Sequence, residues 1–326
     1  MKALLPAALL LAAAPAPAAA GLFGRGAEER SAAALADMRA SYAAGDCVRV
    51  LSASDLFFSE KPSAGLREEA YGYMGRCYER EGLPDKAISL YKLAIGLYPD
   101  DGLFAFRLAS IYNASGFHEN AVPLFRKVLA GKPDDIGAGL GLARAYAALG
   151  FYGRAKNYYS RVVVLQDFSD AAVLKEYAAC MLKKRDWGEA LFIAGKGSEA
   201  APASSYWKLA EARVAAGKGD YYKAIAASEA AIKLEPSRRL RLERALYLLL
   251  AGLPRRAMEA ADAELAAAPG DPLASEVKGM ALRLLGRPAE AEPYFRAALK
   301  GGPFTAGIAG AFLAPKAAPK EGACSK

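Results

Sequence analysis

Histidine is nearly missing from this sequence, since His118 is the only one among 326 residues. Most enzymes that move protons need histidine or a comparably tuned group, and the common zinc sites need several His or Cys residues at short spacing. The four cysteines, Cys47, Cys77, Cys180 and Cys324, are too far apart in the chain for such a site. We therefore expect no catalytic residue, no metal site and no cofactor, and we expect His118 to be a solvated turn residue.

A glycine loop that could bind phosphate is also missing. The nearest candidate, Gly137 to Gly141, lacks the lysine and hydroxyl residues that follow in a P-loop. The pattern places it inside a helix, where Gly139 and Gly141 would allow packing between neighbouring segments or close approach of another group to the backbone.

Acidic residues are fewer than basic ones, 35 against 43, which leaves a net charge of +8. Dense basic clusters would indicate nucleic-acid binding, because they displace counterions from phosphates. The basic groups at 183–185, 238–239 and 255–256 are instead separated by acidic residues, which is typical of solvated helix faces. The sequence therefore gives no support for a nucleic-acid partner.

A long apolar run occurs only at the N-terminus. Lys2 precedes the apolar residues 4–14, and an Ala- and Pro-rich segment ends before Gly21. This is the layout of a secretory signal with an Ala-x-Ala cleavage site. The run is short for a bilayer core, which needs about 20 residues, and Pro15 and Pro17 would break a spanning helix.

We therefore expect residues 1–20 to be a cleaved signal peptide, with an uncleaved anchor as the alternative. Residues 21–32 are expected to be a flexible segment. The protein is predicted to be exported, periplasmic or secreted, without an integral membrane span after cleavage.

The rest of the chain has a period of about 34 residues. Glycines stand mostly five residues before a recurring alanine, aromatic residues four after it and prolines twelve after it. Glycine can end a helix in the left-handed conformation, alanine allows close helix crossing, the aromatic fills the adjacent space and proline ends the second helix. The recurring alanines are Ala87, Ala121, Ala155, Ala190, Ala224, Ala257 and Ala291.

These columns resemble the tetratricopeptide repeat family, most clearly from Tyr71 to Pro99, where Gly75, Tyr78 and Gly82 match its pattern. The resemblance implies an all-α fold, a right-handed superhelical solenoid of helix-turn-helix hairpins with a concave inner surface. Such hairpins bury their apolar faces only by stacking on one another.

Two places depart from the pattern. Gly217 lies seven residues before Ala224, so we expect the turn 217–220 to carry two extra residues as a projecting loop. Arg185 replaces a turn glycine, and Gly195 and Gly197 interrupt the second helix of that hairpin, which predicts a frayed or bent segment.

We predict about seven to eight hairpins in one array over residues 33–303, followed by a partial cap and flexible tail at 304–326. The predicted parts of the array are an atypical first unit at 33–62, strong repeats at 68–167, a degenerate one at 168–200 and good repeats at 203–303.

Cys47 and Cys77 are predicted to lie at facing ends of adjacent antiparallel helices. In an oxidising compartment they would form a disulfide, and the alternative is two buried free thiols. Cys180 is expected to be buried on a repeat helix.

In the resembled family, partners bind exposed positions of each hairpin's first helix, one turn apart. Three of the apolar residues at these positions, Phe106, Leu140 and Leu246, would equally complete the core. The chain lacks the lysine and asparagine set with which one subfamily clamps a peptide's terminal carboxylate. The predicted groove residues are Arg76, Phe106, Ser110, Asn113, Leu140, Arg144, Lys175, Trp207, Glu211, Leu242 and Leu246.

The function that this implies is a non-enzymatic scaffold or adaptor of the cell envelope, which binds a protein or extended peptide in its groove. The alternative is a module that binds cell-wall or other anionic glycan through its basic surface and tail. An enzyme is disfavoured only by the missing motifs.

Overall fold

The computed structural model describes residues 19–301, with side chains from residue 26 onward. Residues 1–18 of the predicted signal peptide lie outside the described residues, as do Pro303, Cys324 and the predicted cap and tail at 304–326. Each regular element within 19–301 is an α-helix, and successive helices form hairpins. The prediction of an all-α chain of helical hairpins is confirmed.

The described residues form two compact units that divide after Ala145. The helices of the first unit are α1 (Ala19–Ala43), α2 (Cys47–Ser59), α3 (Ala64–Arg80), α4 (Pro84–Leu97), α5 (Gly102–Ala114), α6 (His118–Gly131) and the greater part of α7 (Ile136–Ala148).

The second unit begins at Tyr146, near the end of α7. Its further helices are α8 (Tyr152–Leu165), α9 (Ala171–Lys184), α10 (Trp187–Ala200), α11 (Ser205–Gly217), α12 (Tyr221–Leu234), α13 (Arg238–Leu250), α14 (Pro254–Ala267), α15 (Pro272–Leu284) and α16 (Pro288–Ala298).

The period of the sequence is the period of the core. Each of the seven recurring alanines, from Ala87 to Ala291, has no exposed surface. Aromatic residues four positions later are buried beside them, including Tyr91, Phe125 and Phe295. Small residues on the preceding helix make room for the rings: a Cβ on Gly75 would lie 2.3 Å from Cε1 of Tyr91. Close helix crossing therefore depends on small side chains facing large ones.

Helix α1 begins earlier than the sequence predicted. Residues 21–32, which we expected to be flexible, lie in this 25-residue helix. Farther along α1, Leu35 and Met38 are buried against Val50 and Phe57 of α2. The expectation of a flexible segment is corrected, because the amphipathic second half of α1 packs in the core and the helix continues back from it.

The turn before α12 has no inserted residues. Gly219, with φ of +84°, is the turn glycine. It lies five residues before Ala224, like the other turn glycines, so the predicted two-residue loop is wrong. Gly217 is instead the last residue of α11, and a Cβ there would lie 2.4 Å from the ring of Trp187. Two glycines with different roles stand close together, and the sequence pattern assigned the turn to the wrong one.

The hairpin of α9 and α10 is regular, so the predicted fraying is also wrong. Helix α10 runs without interruption over 14 residues. Gly197 within it faces Trp207 of α11, whose ring would lie 2.4 Å from an added Cβ. The glycine therefore permits close packing and does not mark a break.

Arg185 occupies the turn position of this hairpin with φ of 60°. A non-glycine residue is strained in this left-handed region. We expect Arg185→Gly to raise the free energy of unfolding by about 1 kcal/mol, because it relieves that strain. Urea unfolding followed by circular dichroism measures the change. Lys184→Gly, in the last turn of α9, is the control and should lower stability. Equal losses from both substitutions would show that the turn is not strained.

Candidate partner-binding surface

The first helices of the hairpins carry the residues that the sequence predicted to contact a partner. In the first unit these helices are α1, α3, α5 and α7. Residues one repeat apart share a side of the stack, because each hairpin packs on the next with the same register. The structure places Arg76, Phe106, Ser110, Asn113 and Leu140 in half-buried positions and leaves Arg144 exposed.

Arg76 is held in one orientation by two tyrosines. Its guanidinium carbon lies 4.7 Å from the ring centre of Tyr42 and 5.0 Å from that of Tyr73. Its Nε donates a hydrogen bond to the carbonyl oxygen of Gly72 at 2.9 Å. No carboxylate within residues 26–301 forms an ion pair with it. The remaining N–H groups of Arg76 are thus ordered and available to an anionic group.

The two tyrosines are themselves fixed. Their ring centres are 5.2 Å apart. The hydroxyl of Tyr73 donates to Glu69, and Glu69 also pairs with Arg39 of α1 at 2.6 Å. The sequence pattern did not indicate Tyr42, because α1 lacks the repeat pattern that would have set its register.

A second group of predicted residues lies along the contact between α5 and α7. Nδ2 of Asn113 donates to the carbonyl oxygen of Gly141 at 3.3 Å, and Oδ1 of Asn113 lies 2.6 Å from Nδ1 of His118. His118 is therefore half-buried and hydrogen-bonded to Asn113, where the sequence predicted a solvated side chain. A Cβ on Gly141 would lie 2.3 Å from the ring of Phe125, so this glycine serves packing between repeats.

Phe106 lies at the wall of a cavity of about 560 Å³ in the first unit. Its ring centre is 6.0 Å from that of Phe125, in an edge-on arrangement. The cavity opens between the start of α5 and the end of α6, and its lining combines apolar groups with Asp101, Lys127 and Lys132. It has the shape and mixed polarity to accept a side chain of a partner.

In the second unit, two predicted groove residues are core residues. Trp207 has no exposed surface and Leu242 is 3% exposed. For Trp207 the cause is the misassigned turn. When the repeat is aligned on Gly219 and not on Gly217, Trp207 falls two positions earlier in the repeat, at a position that packs against Gly197 of α10. Leu242 keeps its predicted repeat position but is buried, so its assignment to the groove is wrong.

The other predicted residues of this unit are partly accessible. Nζ of Lys175 lies 5.7 Å from the ring centre of Tyr206 and 5.9 Å from that of Trp207. Glu211 forms an ion pair with Lys208 at 2.9 Å. Leu246 packs against the core of the α11–α15 region.

With the turn at Gly219, the position equivalent to Arg76 is Arg213. Arg213 forms a two-point hydrogen bond with Glu243 of α13, at 2.8 and 3.0 Å. This bond raises the pKa of Arg213, and burial raises the pKa of Tyr247, which donates to the same carboxylate. Arg213 is thus already paired within the protein, unlike Arg76.

The family model of the tetratricopeptide repeat matches residues 74–136, 209–272 and 254–306. The chain is a tetratricopeptide repeat protein. None of the curated proteins matches it.

Among solved structures, the chain is similar to a tetratricopeptide repeat protein from Parabacteroides merdae, with 17% identity and a TM-score of 0.60 over 76% of this chain and 99% of the other. It is also similar to YrrB, a tetratricopeptide repeat protein with an unusual peptide-binding site (19% identity, 52% and 88% of the two chains, TM-score 0.49). A third similar structure is MamA from Desulfovibrio magneticus (18% identity, 54% and 99%, TM-score 0.49). The likeness to the Parabacteroides protein shows the fold alone.

For this tetratricopeptide repeat protein, the fold suggests a scaffold for protein–protein interaction with protein or peptide partners. Within residues 26–301 no three His, Cys, Asp or Glu side chains are grouped so that they could hold a metal ion. Over the same part of the chain, no helix has the length and apolarity to cross a membrane.

Proposed function

We propose that this protein is an exported, non-enzymatic scaffold of the cell envelope, which binds a protein or extended peptide along the first helices of its first unit. The observation that carries the proposal is Arg76, ordered between two tyrosines and without a carboxylate partner in the described part of the chain. A few residues supply most of the binding energy at protein interfaces, and tyrosine, tryptophan and arginine are enriched among them because they offer large contact areas and planar donors.

The chemistry of this face favours a partner segment that carries carboxylates. Arg80 also lies over Tyr42, with its guanidinium carbon 5.6 Å from the ring centre. Arg76 and Arg80 thus present two guanidinium groups around one ring. A carboxylate that meets Arg76 would replace water on an already ordered cation, so little side-chain entropy is lost on binding.

Two observations support export. Residues 1–20 have the layout of a secretory signal, as described above. Cys47 of α2 and Cys77 of α3 form a disulfide in the structure, with a Cα–Cα distance of 5.1 Å. Disulfides persist in oxidising compartments outside the cytosol, which fits a periplasmic or secreted protein.

The binding proposal predicts position-specific crosslinking in living cells. A photoreactive amino acid at Ser110, on the first helix α5, should give an adduct with a partner protein, whereas one at Leu93, which is 51% exposed on the second helix α4, should not. Arg76→Ala should lower the yield at Ser110 about 10-fold or more, because it removes a central anchor.

Arg49→Ala is the matched control. Arg49 is an exposed arginine of the same unit, paired with Asp37 at 2.8 Å, and its loss should leave the adduct unchanged. Equal adducts at Ser110 and Leu93, or an adduct that survives Arg76→Ala, would contradict the proposed surface.

Export is tested separately. N-terminal sequencing of the protein from cell fractions should find a chain that begins at Gly21 in the periplasm or medium. A chain that begins at Met1 and remains in the cytoplasm would disprove export and leave the binding surface untouched.

A further inference from the structure

The turns between the two helices of each hairpin lie along one edge of the second unit. This follows from the packing, since α9 contacts α11, α13 contacts α15, and each second helix contacts the first helix of the next hairpin. Stacking in a constant register places equivalent turns side by side. We call this edge the turn edge; it consists of residues 148–154, 183–189, 217–223, 250–256 and 284–290.

The turn edge is strongly basic. It carries nine lysines and arginines against four acidic residues. Seven of the nine are exposed and have no carboxylate partner among the described residues. These seven are Arg154, Lys183, Arg185, Lys218, Lys223, Arg255 and Arg256.

Neither the fold nor the overall composition requires this charge. In the first unit the equivalent turns, residues 43–49, 80–86 and 114–120, carry three basic and four acidic residues. The opposite edge of the second unit, residues 165–171, 199–205, 233–239 and 266–272, carries three basic and five acidic residues. The excess of cations is therefore specific to one edge of one unit.

Large apolar side chains stand exposed between these cations. Phe151 is 52% exposed, Tyr222 67%, Leu250 56% and Leu284 61%, and they come from four different hairpins of the unit. Scattered exposed apolar residues are ordinary on protein surfaces. Here they share the edge with the unpaired cations, which is the composition of surfaces that lie in the bilayer interface.

We infer that the turn edge of the second unit docks on an anionic phospholipid bilayer as a peripheral contact. The cations would pair with lipid phosphates, each strengthening attraction to the negative surface, and the apolar side chains would enter the headgroup region. A soluble anionic polymer would satisfy the cations but would leave the four apolar groups in water. The inference is independent of the partner surface proposed for the first unit.

The test is flotation with vesicles, using the protein purified in the form that accumulates in cells. Vesicles of phosphatidylcholine with about 30% phosphatidylglycerol should bind it, vesicles of phosphatidylcholine alone should bind it weakly, and 0.5 M salt should weaken binding because charge attraction is screened. Arg255→Glu with Arg256→Glu should raise the Kd for anionic vesicles roughly 10-fold or more.

The charge-matched control is Lys233→Glu with Arg239→Glu, two exposed cations on the opposite edge. It changes the net charge equally and should leave binding near that of the unchanged protein. Circular dichroism verifies that all variants are folded. Equal losses in the two charge-reversal variants would show attraction by net charge alone and overturn the inference.

The exposed apolar side chains of the turn edge distinguish docking on a bilayer from binding to a soluble polyanion. Tyr222→Ser with Leu284→Ser should weaken vesicle binding at unchanged charge. It should not alter any binding to a soluble polyanion such as polyphosphate. Vesicle binding that is unaffected by this variant would mean that the edge only recognises negative charge, and the bilayer assignment would fall.

Discussion

Gly197→Ala is expected to lower the free energy of unfolding of the second unit by roughly 1–3 kcal/mol, the usual cost of overpacking a core. The new Cβ would lie 2.4 Å from three ring atoms of Trp207. This ring has no exposed surface, and Tyr206 packs edge-on against it with ring centres 5.0 Å apart. The indole is rigid, so the contact is relieved only by shifting α10 away from α11.

Gly195→Ala is the control for this prediction. It lies two residues earlier in the same helix, and an added Cβ would meet nothing within 4 Å. Alanine there should raise stability by about 0.5–1 kcal/mol, because it removes the backbone entropy cost of a glycine inside a helix. The two substitutions thus differ in sign although both look alike in sequence.

Urea unfolding followed by tryptophan fluorescence and circular dichroism measures both effects. The protein has two tryptophans, Trp187 and Trp207, and both belong to this region, so their fluorescence reports it directly. If Gly197→Ala and Gly195→Ala both stabilise the protein, the close contact with Trp207 does not exist in solution.

The sequence was sufficient for the architecture, because a repeat specifies its packing many times over. The alanine that allows helix crossing recurs seven times, and each copy is buried. A single deviation, such as Arg185 in a turn, is then absorbed by the neighbouring contacts. Helix type, hairpin connectivity and most of the core followed from this redundancy.

The sequence was insufficient where two residues of one kind compete for one role. Between Gly217 and Gly219, only the second has a left-handed backbone, and only the first faces a tryptophan ring. Spacing alone would have favoured Gly219, which lies five residues before Ala224. The wrong choice moved the register of α11 by two residues and turned the buried Trp207 into an apparent groove residue.

Surface properties were hidden for a different reason. Lys183, Lys218 and Arg255 are far apart in the chain and interspersed with acidic residues, so they looked like ordinary solvated charges. Stacking of the hairpins brings equivalent turns to one edge. The excess of basic residues at this edge therefore becomes visible only when residues at the same repeat position are counted together. The same applies to Tyr42, whose proximity to Arg76 depends on how α1 packs on α3.

Loss of the disulfide between Cys47 and Cys77 is expected to lower the free energy of unfolding of the first unit by roughly 3–4 kcal/mol. The bond closes a loop with a sequence separation of 30 residues. In the chain-entropy model, closing a loop of this length lowers the conformational entropy of the unfolded chain and so destabilises the unfolded state by about 3–4 kcal/mol. It also fastens the hairpin of α1 and α2, which carries Tyr42, to helix α3, which carries Tyr73 and Arg76. Cys47→Ala with Cys77→Ala should therefore both destabilise the unit and weaken binding at Arg76.

Circular dichroism is the measurement to use, because both tryptophans lie in the second unit and their fluorescence does not report the first. The oxidised protein, once reduced in urea, should unfold at the same denaturant concentration as the double alanine variant, and the variant should not respond to reductant.

Cys180→Ala is the control: this thiol is buried and unpaired, and burial raises its pKa, so its replacement should leave the response to reductant intact. If reductant does not change the unfolding of the unsubstituted protein, the two cysteines are free thiols in solution, and the disulfide no longer supports export.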